Sequence, residues 1–354
     1  MYNLLEQYYR LDLTSNHYVD RKLSLDFNSC QINGISLSGK SELLKAYLLT
    51  CKKGRYLYLN ARDTRIDIKE LNLVFQKFIT EYDIDIIAID NYTKDIKLPK
   101  AKQILITSTA YVDIDFLPAK TLFPFDFEEF LASGKRYDST AISAFLQIGG
   151  LPAIGHLSIE NRIEFIQNRF YNTLGALKFE ILTQISKYLG QRISTFNLYQ
   201  RLKQTTKISK DKLYIAHKEL IFEGYIHVLS QYDNKNAVKK IYLCDIIFKH
   251  TLSLQKNFAM LFENIVFLEL FKHNIECYYA ERIEFYLPDE NKIILCIPFA
   301  DERMVFKKIE AIESFIFSYQ ILNIECVTMS KEGFLSHPIS KIEMIPFDRW
   351  ALKE

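Results

Sequence analysis

The chain has 354 residues and a formal net charge of +2, and 49% of its residues are apolar and 25% charged. This composition is typical of a folded protein with substantial cores, and the length predicts two or three domains. The near-neutral charge excludes a protein that is basic all over, so any nucleic-acid surface must be a local patch.

The six cysteines form no C-x-x-C pair and the seven histidines are dispersed, so we expect buried free thiols and no zinc site.

Charges occur early in the first stretch, MYNLLEQYYRLDL, which does not resemble a secretory signal. The longest apolar stretch, FAMLFENIVFLELF, is interrupted by Glu263, Asn264 and Glu269 and does not fit a membrane span. We therefore expect a cytoplasmic protein without a membrane partner. The first 25 residues could form a helix, an arm or part of the core.

Residues 34–41, GISLSGKS, match the phosphate-loop pattern G-x-x-x-x-G-K-[ST]. A short polar strand, CQINGI, precedes the loop, and an amphipathic helix that ends at Gly54 follows it. Loop amides and the helix N-terminus would face phosphates, Lys40 would reach the terminal phosphates, and Ser41 would bind Mg²⁺. The predicted nucleotide-binding residues are Gly34, Leu37, Ser38, Gly39, Lys40, Ser41 and Glu42. The alternative is a chance glycine turn before a helix.

Apolar strands and amphipathic helices then alternate along the chain. RYLYLNA, DIIAID and QILITST are predicted strands, and ELNLVFQKFITEY is a predicted helix between the first two. This alternation predicts an α/β fold with a parallel sheet that is covered on both faces.

Asp90 ends one of these strands and is the predicted second ligand of Mg²⁺, beside Ser41. Asn91 follows it; an amide can orient a water but cannot accept a proton at neutral pH. The next strand ends in polar residues that include Ser108. The predicted catalytic set is Lys40, Asp90, Asn91 and Ser108, and it favours nucleotide binding over fast hydrolysis. An aspartate ending a strand can also be a simple turn former.

In this order the motifs resemble those of prokaryotic AAA+-type P-loop ATPases of the archaeal-ATPase group. The matching stretches are GISLSGKS, YLNARD, IIAIDNY, ILITSTAY, LFPFDFEEFL, IGGLPA and FENIVFLELFKHNIECYY. The resemblance implies ATP and Mg²⁺ as cofactors, a winged helix-turn-helix after the ATPase core, and a C-terminal PD-(D/E)xK nuclease-like domain. Two departures indicate a diverged member: Asn91 replaces the family's glutamate, and no arginine lies between Arg65 and Arg136, where the family has a finger arginine near 116–120.

The predicted domains are a P-loop ATPase core with its following helices (1–178), a winged helix-turn-helix (179–250) and a small α/β nuclease-like domain (251–354). The sequence of residues 179–250 predicts three helices and a two-stranded wing around residues 233–236. DNA is a candidate partner of this module, and the alternative is a module that packs against the core or a protein. The lysines that could contact DNA phosphates are Lys207, Lys210, Lys212, Lys218, Lys239 and Lys240.

An active nuclease domain at residues 251–354 would need acidic residues and a lysine that converge on Mg²⁺. Glu263 and Glu284 are the candidate acids, but the strand KIILCIPFADE has no lysine where the family places one. We expect the fold without the nuclease chemistry, and we expect Glu284 to be a surface strand carboxylate.

The sequence therefore predicts an ATP-binding protein with slow or partner-activated ATPase activity that acts as a nucleotide-dependent switch. A protein partner or a second copy in a homo-oligomer could supply the missing arginine in trans. The alternative is a DNA- or protein-binding winged-helix protein whose nucleotide site is a relic. An active nuclease ranks last.

Overall fold

A computed structural model of the chain describes residues 1–15, 18–109, 112–134, 140–155 and 157–353. The chain divides into two compact units, Met1–Pro124 and Phe125–Glu354. The domain boundaries predicted after residues 178 and 250 both fall inside the second unit and stay predictions. Ala110 and Tyr111, which end the ILITSTAY stretch, and Arg136 lie outside the described residues.

The first unit contains a five-stranded parallel sheet, which confirms the predicted α/β architecture with a parallel sheet. Its strands are β1 (Cys30–Asn33), β2 (Tyr56–Asn60), β3 (Ile86–Asp90), β4 (Gln103–Ser108) and β5 (Ala119–Thr121). They lie in the order β2-β3-β4-β1-β5, so β4 separates the strand that leads into the loop from the strand that ends in Asp90. Near-continuous burial of β3 and β4 reflects cover on both faces.

Two layers cover this sheet. The helices of the unit are α1 (Tyr2–Arg10), α2 (Lys40–Leu49) and α3 (Ile68–Glu81). Leu5 of α1 and Phe75 of α3 pack in one core with Leu57 and Leu59, whereas α2 packs in a second core with Tyr58. Because successive strand residues point to opposite faces, these two cores lie on opposite faces of the sheet. The first 25 residues thus combine a helix in one core with an arm that packs against the other.

The second unit is rich in helices. These are α4 (Phe127–Gly134), α5 (Ala141–Ile148), α6 (Ile159–Lys187), α7 (Thr195–Leu202), α8 (Lys210–Phe222), α9 (Ile247–Leu252), α10 (Phe258–Lys272), α11 (Glu302–Glu310), α12 (Glu313–Tyr319) and α13 (Phe347–Ala351). Gly175, with φ +73°, interrupts α6. Ser194 and Ser209 cap α7 and α8 through their side chains, as their sequence positions predict. Within the described parts of the chain, no helix has the length and apolar character needed to cross a membrane.

An antiparallel hairpin and a six-stranded mixed sheet complete the second unit. The strands are β6 (Ile226–Leu229), β7 (Lys240–Leu243), β8 (Tyr278–Ala280), β9 (Ile283–Leu287), β10 (Lys292–Cys296), β11 (Asn323–Thr328), β12 (Gly333–Leu335) and β13 (Lys341–Pro346). The hairpin pairs β6 with β7, and the sheet has the order β12-β13-β11-β10-β9-β8. These elements lie where a winged helix and a nuclease-like domain were predicted, and those two assignments stay predictions.

The Gly-Gly-x-Pro turn at residues 149–152 fits closely against two other segments of its unit. Gly150 donates its N–H to Asp245 Oδ2 (2.7 Å), and its carbonyl accepts from the N–H of Phe125 (2.7 Å). A Cβ atom at Gly150 would overlap the backbone of Phe125. The turn therefore requires a residue without a side chain at this position.

We expect Gly150→Ala to lower the free energy of unfolding by about 1–3 kcal/mol, the usual cost of overpacking, because the Phe125 backbone must move. Gly155→Ala is the matched control, since its new Cβ would lie at an ordinary van der Waals distance, 4.0 Å, from the carbonyl oxygen of Pro152. Urea unfolding of the two variants measures the difference. Equal stability of both variants would contradict this account of the turn.

Candidate functional site

The loop of residues 34–41 connects the end of β1 to the start of α2. Gly34, Leu37 and Gly39 have φ angles of +156°, +69° and +97°. A Cβ at Gly34 would overlap the carbonyl oxygen of Leu122, so a glycine is required there. The loop is thus a compact turn in front of a helix N-terminus, the arrangement that presents backbone N–H groups to anions.

Lys40 closes this loop on itself. Its side chain is buried, and Nζ donates to the carbonyl oxygens of Gly34 (2.8 Å) and Ile35 (2.7 Å). Because a trans peptide points its C=O and N–H in opposite directions, these bonds also fix the N–H groups of Ile35 and Ser36. The ammonium group therefore organises the loop and lies within it.

Asp90 is the centre of a hydroxyl network at the carboxyl end of β3. Its side chain is buried, and Oδ2 accepts from Ser41 Oγ (2.7 Å) and Tyr58 OH (3.0 Å). Thr107 Oγ1 donates to the other oxygen, Oδ1. Three hydroxyls from α2, β2 and β4 thus converge on one carboxylate, and the two predicted Mg²⁺ ligands, Ser41 and Asp90, lie in direct contact.

Tyr58 is a site residue that the sequence did not single out. Burial, followed by the negative charge of Asp90, raises the pKa of Tyr58 well above its usual range, so its hydroxyl remains a donor. The available signal was the strand YLYLN, in which Tyr58 and Asn60 share one face and Asn60 pairs in register with Asp90. That signal becomes informative only when the neighbour of the strand is known.

The other predicted residues lie near this network, but some of them face elsewhere. Asn91, in a left-handed conformation, donates its side-chain amide to Asn60 Oδ1 (3.1 Å). Ser108 is buried at the end of β4, beside Asn33 in the parallel register. Glu42 is in the first turn of α2, where its carboxylate accepts from Lys45 and Ser15. The structure thus joins Ser41 to Asp90 and turns the side chains of Asn91 and Glu42 toward other partners.

Two polar side-chain atoms at this loop have no hydrogen-bond partner in the described structure. They are Asn33 Oδ1, at the end of β1, and Ser38 Oγ, inside the loop; both side chains are buried. Buried polar groups are almost always hydrogen-bonded, so such atoms indicate a place for water or a ligand. The Ser38 hydroxyl can donate to a phosphate oxygen, whereas Asn33 Oδ1 can only accept and suits a water molecule or another donor.

In the second unit, the two acids of the predicted nuclease-like domain are each paired with a lysine; Glu263 is buried and Glu284 is largely buried. Glu263 accepts from Lys240 Nζ (2.8 Å) and Tyr242 OH (2.6 Å), and Glu284 accepts from Lys308 Nζ (2.6 Å). The expectation of a surface carboxylate at Glu284 is wrong, because its side chain is 14% exposed on a strand inside the sheet. Burial raises the pKa of Glu284.

The same contacts correct the list of DNA-facing lysines. Lys240 is 12% exposed and forms an ion pair with Glu263, so it cannot present its charge to a polyanion. The other five lysines, Lys207, Lys210, Lys212, Lys218 and Lys239, are exposed.

One group of described side chains has the spacing of metal ligands: Asp126, Glu269 and His273 place ligand atoms within 4.8 Å of one another. Both carboxylates have a structural role at the start of α4. Asp126 accepts from the N–H of Glu129 (2.8 Å), and Glu269 accepts from the N–H of Phe127 (2.9 Å). Helix capping accounts for the burial of these acids, and we assign no ion to them.

Sequence comparison finds that the chain is similar to a protein of Methanocaldococcus jannaschii. No family model matches this chain. The uncharacterized protein MJ1544 of Methanocaldococcus jannaschii is 24% identical over an alignment of 393 residues, which covers 98% of this chain and 85% of the relative. Among solved structures, the Aeropyrum pernix ORC1 protein in complex with DNA aligns with a TM-score of 0.27 and 11% identity, covering 70% of this chain and 88% of that one.

We expect Lys240→Met to lower the free energy of unfolding by about 3–5 kcal/mol, because it leaves Glu263 buried without its cation. The double variant Lys240→Met, Glu263→Met should recover most of that loss, since it removes both charges. Arg349→Met, which breaks the exposed pair with Glu332, serves as the control and should cost less than about 1 kcal/mol. Urea unfolding measures the stability of all three variants. A Lys240→Met variant as stable as Arg349→Met would refute the buried ion pair between Lys240 and Glu263.

Proposed function

We propose that this chain is an ATP-binding P-loop protein of the AAA+ type whose nucleotide state acts as a switch. The observation that carries the proposal is the 2.7 Å hydrogen bond between Ser41 Oγ and Asp90 Oδ2. It joins the first turn of the helix after the phosphate loop to the acidic end of a neighbouring strand, two places that supply the Mg²⁺ ligands of phosphate-loop sites. The two residues are far apart in sequence, and the parallel sheet brings them together.

The residues around this bond fit the parts of a Mg²⁺-nucleotide. The loop amides and the N-terminus of α2 would bind phosphate oxygens, and Ser41 and Asp90 would hold the metal. Mg²⁺ would neutralise charge on the phosphates there. Lys40 would exchange its loop carbonyl partners for phosphate oxygens. The Ser38 hydroxyl, which has no hydrogen-bond partner in the described structure, supports an acceptor such as a phosphate oxygen at this position.

Slow or partner-activated hydrolysis is the second part of the proposal. Asn91 cannot act as a general base, and its amide is bonded to Asn60. The segment 116–120 has no arginine that could stabilise charge in the transition state. A protein partner or a second copy of the chain would supply that group in trans, so nucleotide-bound states of the isolated chain would be long-lived.

Titration calorimetry with Mg-ATP tests the binding step. We expect Lys40→Ala to weaken binding at least tenfold, about the contribution of one hydrogen bond to a charged group, and Asp90→Asn to weaken binding only when Mg²⁺ is present. Lys52→Ala, which removes an exposed lysine after α2, is the matched control and should bind like wild type. Phosphate release by the wild type should be slow over the same period. A wild type that does not bind Mg-ATP would mean that the loop is a relic.

DNA contact through residues 179–250 is the second candidate function. The observation in its favour is the exposure of five lysines on or beside α7, α8 and the hairpin. The same surface carries exposed acids on α8, Asp211 and Glu219, which lower its attraction for phosphate. We therefore rank DNA contact below nucleotide binding.

Fluorescence anisotropy with a labelled DNA duplex at several salt concentrations tests this second candidate. If these lysines contact phosphates, Lys212→Gln with Lys218→Gln should weaken binding and reduce the salt dependence by about one unit of slope for each lysine. Lys331→Gln removes an exposed lysine elsewhere in the unit and should leave both quantities unchanged. Binding that the double variant does not alter would exclude this surface.

A further inference from the structure

Arg21, on the arm between α1 and β1, contacts the phosphate loop from outside the motif. Its Nη1 donates to the carbonyl oxygen of Ser38 (2.8 Å), and its Nη2 donates to the carbonyl oxygen of Phe123 (2.7 Å). One guanidinium thus links the loop to the segment that follows β5. The phosphate-loop pattern does not include this residue, which lies 13 positions before Gly34.

We propose that Arg21 is a positioning residue that orients the Ser38–Gly39 peptide for phosphate binding. This inference rests on the proposed nucleotide function. Because a trans peptide is planar, its C=O and N–H point in opposite directions, and a bond that fixes the Ser38 carbonyl also fixes the Gly39 N–H. Arg21 holds the carbonyl on one side of the loop and so directs the Gly39 N–H to the other side.

The Ser38–Gly39 peptide lies directly before the first turn of α2, and Gly39 has a positive φ of 97°. Lys40 donates to the carbonyls of Gly34 and Ile35, at the start of the loop, whereas Arg21 donates to the carbonyl of Ser38, at its end. Gly39 is the N-cap residue of α2 and, because it has no side chain, cannot itself cap the helix. Glycine also tolerates many φ values, so the peptide before it can rotate at little energetic cost. Two donors from one planar group reduce that freedom.

The arm is anchored on both sides of Arg21, which makes the contact a fixed part of the unit. Leu13 and Tyr18 precede it, Leu23 and Leu25 follow it, and all four pack against the core that contains α2. Ser15 Oγ also donates to Glu42 of α2 (3.2 Å). The guanidinium is therefore held in place before any ligand arrives, which lowers the entropic cost of ordering the loop on binding.

The proposed role predicts a specific pattern of affinities. Arg21→Gln should weaken Mg-ATP and Mg-ADP binding by a similar factor of about 5–30, which corresponds to one or two kcal/mol. The ratio of the two affinities should stay unchanged, because Arg21 acts through the loop, which would bind phosphates of both nucleotides, and does not contact the terminal phosphate. Arg21→Lys can keep one of the two bonds and should be intermediate. Arg62→Gln removes an exposed arginine of the same unit and is the matched control.

A second readout needs no nucleotide. Protein labelled with carbonyl-¹³C serine and ¹⁵N glycine reports only two peptide bonds by NMR, Ser38–Gly39 and Ser133–Gly134, since the chain has no other Ser-Gly pair. We expect Arg21→Gln to move the Ser38–Gly39 signal and to leave the Ser133–Gly134 signal in place. The second signal comes from the second unit and serves as an internal reference, and urea unfolding of the variant shows whether the first unit is folded.

The outcomes separate this inference from the proposed function. A wild type that binds neither nucleotide overturns the nucleotide function and with it the role of Arg21. If the wild type binds, an Arg21→Gln variant with unchanged affinities and an unmoved Ser38–Gly39 signal overturns the positioning role alone. Weakened binding of Mg-ATP with normal binding of Mg-ADP would also overturn it, because that pattern means direct contact with the terminal phosphate.

Discussion

The organisation of the first unit depends on the burial of one carboxylate. A buried charge is tolerated only when hydrogen bonds replace its hydration, and Asp90 obtains three of them from hydroxyl groups on α2, β2 and β4. These donors reach it because β3 lies between β2 and β4 in the sheet. The requirement therefore fixes the position of α2, the helix after the loop of residues 34–41, relative to two strands that are distant in sequence.

The buried acids of the two units are neutralised differently, and this difference matters for metal binding. Glu263 and Glu284 each have a lysine partner, so their charges are balanced within the protein. Asp90 has hydroxyl partners, and the ion pairs among the described residues include none with Asp90. Its charge is solvated by dipoles and is not cancelled, which is the condition that favours a hard divalent cation. Glu263 and Glu284 are better explained as members of structural ion pairs.

Local sequence patterns predicted the parts of the fold that depend on local chemistry. Alternating apolar strands and amphipathic helices gave the parallel sheet, and the serines before α7 and α8 gave their caps. Contacts that depend on which strands are neighbours could not be predicted. Tyr58 reaches Asp90, and Arg21 reaches Ser38, only after distant segments have paired. The prediction that Glu284 lies at the surface was wrong for the same reason, since its burial depends on the strand and helix that pack beside it.

The contacts of Lys40 bear on why the proposed site would act as a switch. In a loop whose lysine was free, ligand binding would change little beyond the site itself. Here the ammonium group already holds two loop carbonyls, so contact with phosphate would have to replace at least part of that bonding. The same carbonyls belong to peptides whose N–H groups point in the opposite direction, and Arg21 restrains the Ser38–Gly39 peptide further along the loop. The proposed nucleotide binding would thus change contacts along the loop and the arm, and Asn91, which cannot act as a general base, would make that state long-lived.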